Sequence, residues 1–322
     1  MYENIASNRR RTAFIIVLFV MFIGALGYAI GIYFDYRYGI NGGYSILLMI
    51  FALIIAVAVS FASYYGSDKM VLALTKAAPL SREEDPRVYY IVEGLSIAAG
   101  LPIPKIYVME ENGMNAFTTG RNPANSVIVL TRGIINNLND EELKGVIAHE
   151  LSHVKNYDIL LGTIIVVLVG MVTIISNILF RSFIFGGGRR SSSSRNSAGG
   201  IIGLIFLVIG LILIILSPLI AALIRFAISR QREYLADSNG ALITRYPAGL
   251  ANALRKISAY SEVKTANNAT AHLFIANPFG KNTKVMFSSL FNTHPPVEER
   301  IKRLEKMSLG IGVQKEVRIP AK

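Results

Sequence analysis

The chain has 322 residues, 52% of them hydrophobic and only 17% charged, with a formal net charge of +12; this balance argues against an ordinary soluble domain and for the membrane class. On so apolar a chain the positive charge fits anionic lipid headgroups, so a lipid bilayer is the expected partner and no nucleic acid is expected. Cysteine is absent, which excludes a disulfide framework and thiolate-rich structural zinc sites and leaves His, Asp and Glu for any metal.

The first segment begins after Arg9, Arg10 and Arg11. No charged residue follows until Asp35, and Ala13 to Phe34 is long enough to span a bilayer as a helix. Its apolar core exceeds the roughly 7 to 15 residues of a cleaved signal peptide, which favours a retained anchor. After the turn Asn41-Gly42-Gly43, a second span runs from Tyr44 to Tyr65, so residues 1–65 form a membrane hairpin. With the three arginines inside, the chain returns to the cytoplasmic side at Gly66.

Residues 66–158 then read as the first part of a catalytic domain. Lys105 to Met109 and Val127 to Leu130 are short, β-branched or apolar runs bounded by Pro, Gly or Asn, as strands require. From Asn139 the sequence becomes helical: Asn139 and Glu142 form a variant capping box, and Leu143, Val146, Ile147 and Leu151 recur at helical spacing to about Tyr157. His149 and His153 fall one turn apart on one face, where two imidazoles can reach one ion. Glu150, beside that face, can reach an activated water without being a ligand, as a general base must.

Two further apolar runs, Ile159 to Phe180 and Ile201 to Ile224, flank a Gly/Ser linker beginning Gly186-Gly187-Gly188. Residues 159–224 therefore read as a second hairpin, four apolar helices in all. A simple double span would place Arg181, Arg189, Arg190 and Arg195 outside, against the positive-inside tendency. Either the first hairpin overrides that bias, or the second pair packs partly against the catalytic body.

The second part of the catalytic domain is residues 225–322. The segment from Arg230 to Asp237 continues the fourth apolar run, with Glu233 and Asp237 on one helix face. Glu233 would complete a His-His-Glu set with an open fourth position, and Asp237 could orient a ligand imidazole. A charged cluster at a membrane helix end also reads as a solvated face, so the segment alone does not settle the third ligand. Thr265 to Lys284, rich in Asn and Gly, is a candidate lid. His272 has no matching constellation and reads as structural. His294 precedes two prolines and the amphipathic run Val297, Ile301, Leu304; it either donates to an oxyanion or helps fix the turn.

Together these residues resemble the HtpX-like membrane metallopeptidases, relatives of the CAAX prenyl endopeptidases and gluzincins. The resemblance rests on His149-Glu150-Leu151-Ser152-His153 with Asp158 after it, Glu233 to Asp237, Asn115 to Gly120, and Thr293-His294-Pro295-Pro296 with Arg300. It implies one zinc ion with Glu233 as third ligand, a site facing the cytoplasm at the cell membrane, and cleavage of membrane or misfolded proteins in quality control. The expected fold is a mainly α membrane protein with a split zincin-like α+β catalytic domain and a small sheet. In such sites an edge strand pairs with extended substrate, which makes Asn115, Ala116, Phe117 and Thr118 candidate substrate-binding residues. The rival readings are a non-catalytic membrane metal-binding or transport protein and a prenyl-protein endopeptidase. The first is disfavoured because the apolar runs carry no ionisable residue, the second because four spans are few for an intramembrane chamber.

Overall fold

A computed structural model of the chain describes residues 2–39, 41–170, 230–267, 269–280 and 295–316. The protein is mainly helical, with a small mixed sheet and two helices long and apolar enough to cross a membrane among the described residues. These are α1 (Tyr2–Tyr38) and α2 (Gly43–Thr75), which pack as a hairpin. Glycine makes the close approach possible: a Cβ at Gly31 would lie 2.2 Å from Ser45 Cα, and one at Gly27 would lie 2.6 Å from the Leu48 carbonyl oxygen. Gly42 at the N-cap of α2 has no side chain to cap it, and Asp35 of α1 does so instead, accepting from Tyr44 N at 2.7 Å and Ser45 N at 3.0 Å.

Beyond the expected end of its span at Tyr65, α2 continues as helix to Thr75 and leads into the sheet. The strands are β1 (Ala78–Pro79), β2 (Lys105–Met109), β3 (Ala116–Gly120) and β4 (Ser126–Thr131), ordered β1-β2-β4-β3. Only β2 and β4 run parallel. The crossover between them carries β3, which returns antiparallel to β4 and forms one edge of the sheet.

The sheet is buried on both faces, and β4 shows why its sequence is a continuous apolar run. Ile128 and Leu130 enter a core formed with α3 (Pro86–Ala99), α5 (Asp140–Lys155), α8 (Pro247–Ala259) and α9 (Val297–Glu316). Val127 and Val129 enter a second core with Ile15 of α1, Val71 and Leu72 of α2, and Leu161, Ile164 and Ile165 of α6 (Asp158–Gly170). One thin sheet thus couples the body formed by α3, α5, α8 and α9 to the two long apolar helices and α6. The short α4 (Arg132–Asn137) precedes α5, whose start carries both halves of the expected capping box between Asn139 and Glu142. The helix α5 ends at Lys155, two residues before the expected Tyr157, because Tyr157 takes a left-handed φ of 60° and turns the chain by 84° into α6. The final helix before α8 is α7 (Arg230–Thr244). The third expected apolar run is described only to Gly170, and the linker and the run Ile201 to Ile224 lie outside the described residues.

Replacing Gly31 with Leu should force α1 and α2 apart and lower stability by about 1–3 kcal/mol, the usual cost of overpacking. Thermal unfolding of the detergent-solubilised protein should show a lower Tm; an unchanged Tm would mean that the hairpin does not depend on this contact.

Candidate metal centre

Four elements converge on the site. Helix α5 supplies His149, Glu150 and His153 from a face that is buried against α7, and α7 supplies Glu233 and Asp237, one turn apart. The helices approach so closely at Gly240 that a Cβ there would lie 3.0 Å from the His149 backbone nitrogen. The first turn of α6 contributes Asp158, and α9 contributes Arg300, which is completely buried.

The ligand atoms form a tight triangle. His149 Nε2 and His153 Nε2 are 3.2 Å apart, and the Glu233 carboxylate oxygens lie 3.8 Å from the first and 3.6 Å from the second. Atoms bound tetrahedrally to zinc at about 2.0–2.1 Å are separated by about 3.3 Å. The donor set, two imidazoles and one carboxylate, and its spacing therefore fit a catalytic metal site.

Each imidazole is held from behind. His149 Nδ1 lies 2.9 Å from Asp237 Oδ1, and His153 Nδ1 lies 3.0 Å from Asp158 Oδ2. A carboxylate on Nδ1 fixes the ring and its tautomer and leaves Nε2 for a metal. Arg300 grips Asp237 through two bonds, Nε to Oδ2 at 2.9 Å and an η-nitrogen to Oδ1 at 2.7 Å, and donates to the Ile275 carbonyl at 3.1 Å. Burial alone would raise the Asp237 pKa, but Arg300 and His149 outweigh it and hold the group at about 2. Burial likewise lowers the His153 pKa, yet the Asp158 hydrogen bond and the charges of Glu233, Asp158 and Glu150 prevail and raise it to about 9. Glu150 is buried and accepts a 2.9 Å hydrogen bond from the Thr118 hydroxyl of β3, which sets its carboxylate on the strand side of the triangle.

The expected substrate edge is more differentiated than its sequence. The Asn115 side chain is turned inward, donating to the Ser261 and Ala276 carbonyls at 3.1 and 3.0 Å, and Phe117 is buried against Phe274 with ring centroids 5.1 Å apart. Neither side chain is presented to a substrate, because each ties β3 to the core. The Ala116 carbonyl accepts from Ile275 N at 2.9 Å. Thr131 N donates to the Asn115 carbonyl, so odd-numbered residues of β3 face β4 and the Thr118 main chain faces the outer edge. The bonds to Ile275 and Ala276 fix the middle of the segment expected as a lid, whose residues 281–284 lie outside the described residues. His294 also lies outside them, while His272 is buried with Nε2 at 3.2 Å from the Gly162 carbonyl. Asp158 and Arg300, both part of the family resemblance, hold positions that spacing did not disclose: one backs His153 and the other pairs with Asp237.

Comparison with known proteins places these residues in a wider setting. A model for peptidase family M48 matches residues 82–308. A protease HtpX homolog of Thermoanaerobacter pseudethanolicus is 44% identical over 96% of this chain and 98% of its own length. That of Caldanaerobacter subterraneus subsp. tengcongensis is 45% identical with the same coverage, and that of Dictyoglomus turgidum is 44% identical over 95% of this chain and 94% of its own. The crystal structure of Ste24p from S. mikatae aligns at 23% identity and a TM-score of 0.44, covering 87% of this chain and 63% of that longer one.

Two outcomes follow from the buried charges. Arg300→Leu leaves Asp237 without its guanidinium and should destabilise the protein by about 3–5 kcal/mol in chemical denaturation. For the metal-free protein, the raised pKa of His153 contributes stability that is fully present below about pH 6.5 and lost as pH rises through about 9. Its Tm should fall over that window, and the fall should shrink in Asp158→Asn, where only the charges of Glu233 and Glu150 still raise the His153 pKa; a flat profile in the unaltered protein would contradict the charge arrangement.

Proposed function

This chain belongs to peptidase family M48 and is a membrane metalloprotease, and from that premise we propose that it is a zinc endopeptidase with His149, His153 and Glu233 as ligands and Glu150 as general base. The observation that carries the reading is the convergence of the two Nε2 atoms and the Glu233 carboxylate, each imidazole backed by its own carboxylate, with Glu150 alongside. Zinc bound there would supply a Lewis acid for water and for the peptide carbonyl. Glu150 takes a proton from the attacking water and passes it to the leaving amine. Asp237 and Asp158 keep both imidazoles aimed while charge develops. The outward-facing main chain of Thr118 on β3, with Asn115, Ala116 and Phe117 holding the strand in place, lines up an extended substrate, and His294 donates to the oxyanion.

The proposed setting is the cytoplasmic surface of the cell membrane. In this proposal the apolar run 201–224, which lies outside the described residues, joins the run that begins at 159 as a second hairpin beside that of residues 1–65, which would make the protein multi-pass with a catalytic domain split between 66–158 and 225–322. The metal helix ends at Lys155, and the third apolar run starts as α6 at Asp158. A site so near the bilayer suits juxtamembrane segments of membrane proteins and exposed stretches of misfolded ones, the substrates of quality control. The acidic start of α5, Asp140 to Glu142, speaks against burial of this helix in lipid.

The test compares zinc content and cleavage of casein or a model membrane protein by the detergent-purified chain and by Glu150→Gln. Stoichiometric zinc in both is expected, with cleavage reduced about 10²–10⁴-fold in the variant. Turnover retained by metal-loaded Glu150→Gln would remove Glu150 from its role. Zinc in both with cleavage by neither would favour a metal-binding module or a different substrate.

A further inference from the structure

We propose that Asn8, on the membrane helix α1, is a positioning residue of the metal site, so that the N-terminal anchor is part of the site as well as its tether. The inference rests on the assignment of His149, His153 and Glu233 as zinc ligands. Asn8 is 3% exposed on a helix whose Phe14, Val17 and Met21 are exposed apolar residues. A carboxamide buried there is costly unless bonded, and every polar atom of this one is engaged. Its Nδ2 donates to Asp158 Oδ1 at 2.7 Å and to the Asn156 carbonyl at 3.0 Å, while its Oδ1 accepts from an Arg232 η-nitrogen at 2.9 Å. Rotating the amide by 180° would set oxygen against two acceptors and NH₂ against a cation, so a single orientation is enforced.

The partners of Asn8 connect it to both sides of the metal site. Asp158 divides its two oxygens, Oδ1 to Asn8 and Oδ2 to His153 Nδ1 at 3.0 Å. Arg232, which also approaches Asp158 Oδ1 at 3.7 Å, immediately precedes the third ligand Glu233 on α7. One amide therefore joins the corner between α5 and α6 to the helix that brings Glu233 from the other half of the domain. The same corner carries Tyr157 in its left-handed conformation, with the Arg9 guanidinium 4.9 Å from its ring centroid. Residues 156, 157 and 158 thus each meet α1. Without Asn8 the Asp158 carboxylate loses its shortest donor and is free to turn toward Arg232, which loosens the His153 ring.

Removing a partner of a ligand typically costs 10–100-fold in metal affinity, and Asn8 acts one bond further out, so about a tenfold rise in the zinc Kd is expected. The experiment measures zinc affinity by chelator competition on the full-length protein in detergent. The variants are Asn8→Ala, Asn8→Leu (similar volume without the amide), Asp158→Asn, Asn8→Ala with Asp158→Asn, and His149→Ala. The d–d spectrum of the cobalt-loaded forms reports ligand geometry independently of activity. Expected are the tenfold loss and an altered cobalt spectrum in both Asn8 variants, with no added loss of affinity when Asp158 is already Asn. A merely structural role would lower Tm yet leave the zinc Kd and the spectrum unchanged. Unchanged affinity in both Asn8 variants, or an undiminished loss in the Asp158→Asn background, would overturn the proposal. If His149→Ala also kept its zinc, the ligand assignment itself would fall; if His149→Ala lost zinc while the Asn8 variants kept it, only the role of Asn8 would.

Discussion

Two imidazoles can share one ion only if both present Nε2 to the same point, and an unrestrained histidine has no reason to do so. Here each Nδ1 is bound to a buried carboxylate, Asp237 for His149 and Asp158 for His153, and this pair of hydrogen bonds sets the demands on everything around it. Asp237 must be charged while almost wholly buried, which requires Arg300. Arg300 must in turn be brought in by α9 and held by the Ile275 carbonyl, so the C-terminal helix and the segment beside β3 are recruited to the same purpose. Asp158 must sit just past the end of α5, and the turn at Tyr157 puts it there.

That turn also explains why the site and the membrane helices are inseparable. The residue that orients His153 is the first residue of α6, and the residue that steadies it comes from α1. Beneath them the sheet is shared, with alternate side chains of β4 packed into the catalytic core and into the core formed with α1, α2 and α6. Tilting the membrane helices relative to the sheet would move both the strand beside Glu150 and the carboxylate behind His153. The catalytic body is therefore built onto the hairpin, where a loosely linked soluble domain would have a polar face toward the sheet.

Buried charge is costly, and the protein offsets it by pairing. Arg300, Asp237 and His149 form one closed group, and His153, Asp158, Asn8 and Arg232 form another, with Glu233 beside both. Replacing such groups with apolar residues would often be neutral or stabilising for the fold alone. Their presence is thus an argument for function, since only chemistry at the triangle gives a reason to keep so many ionisable side chains out of water.

The sequence by itself determined whatever depends on local periodicity and covalent spacing. The two long spans, the capping box at Asn139, the run of β2 and the pairing of His149 with His153 one turn apart all follow from neighbours within a few residues. Glu233 and Asp237 were legible as two carboxylates on one helix face, and the family resemblance singled out Glu233 as third ligand; no spacing rule could link that face to α5 across the residues between them. Only the tertiary structure decided which charged side chains were inside. Arg300 sits on an amphipathic helix among Glu298, Glu299, Lys302 and Arg303 and looks in sequence like part of a solvated face, yet it is the residue of that group that is fully buried. Asn115 and Phe117 looked like candidates for substrate and are bound to the core, while Asn8, in a segment read as membrane anchor, bonds to the partner of a proposed metal ligand. Such roles depend on contacts between residues far apart in the chain, and those distances are set by packing, which no local pattern encodes.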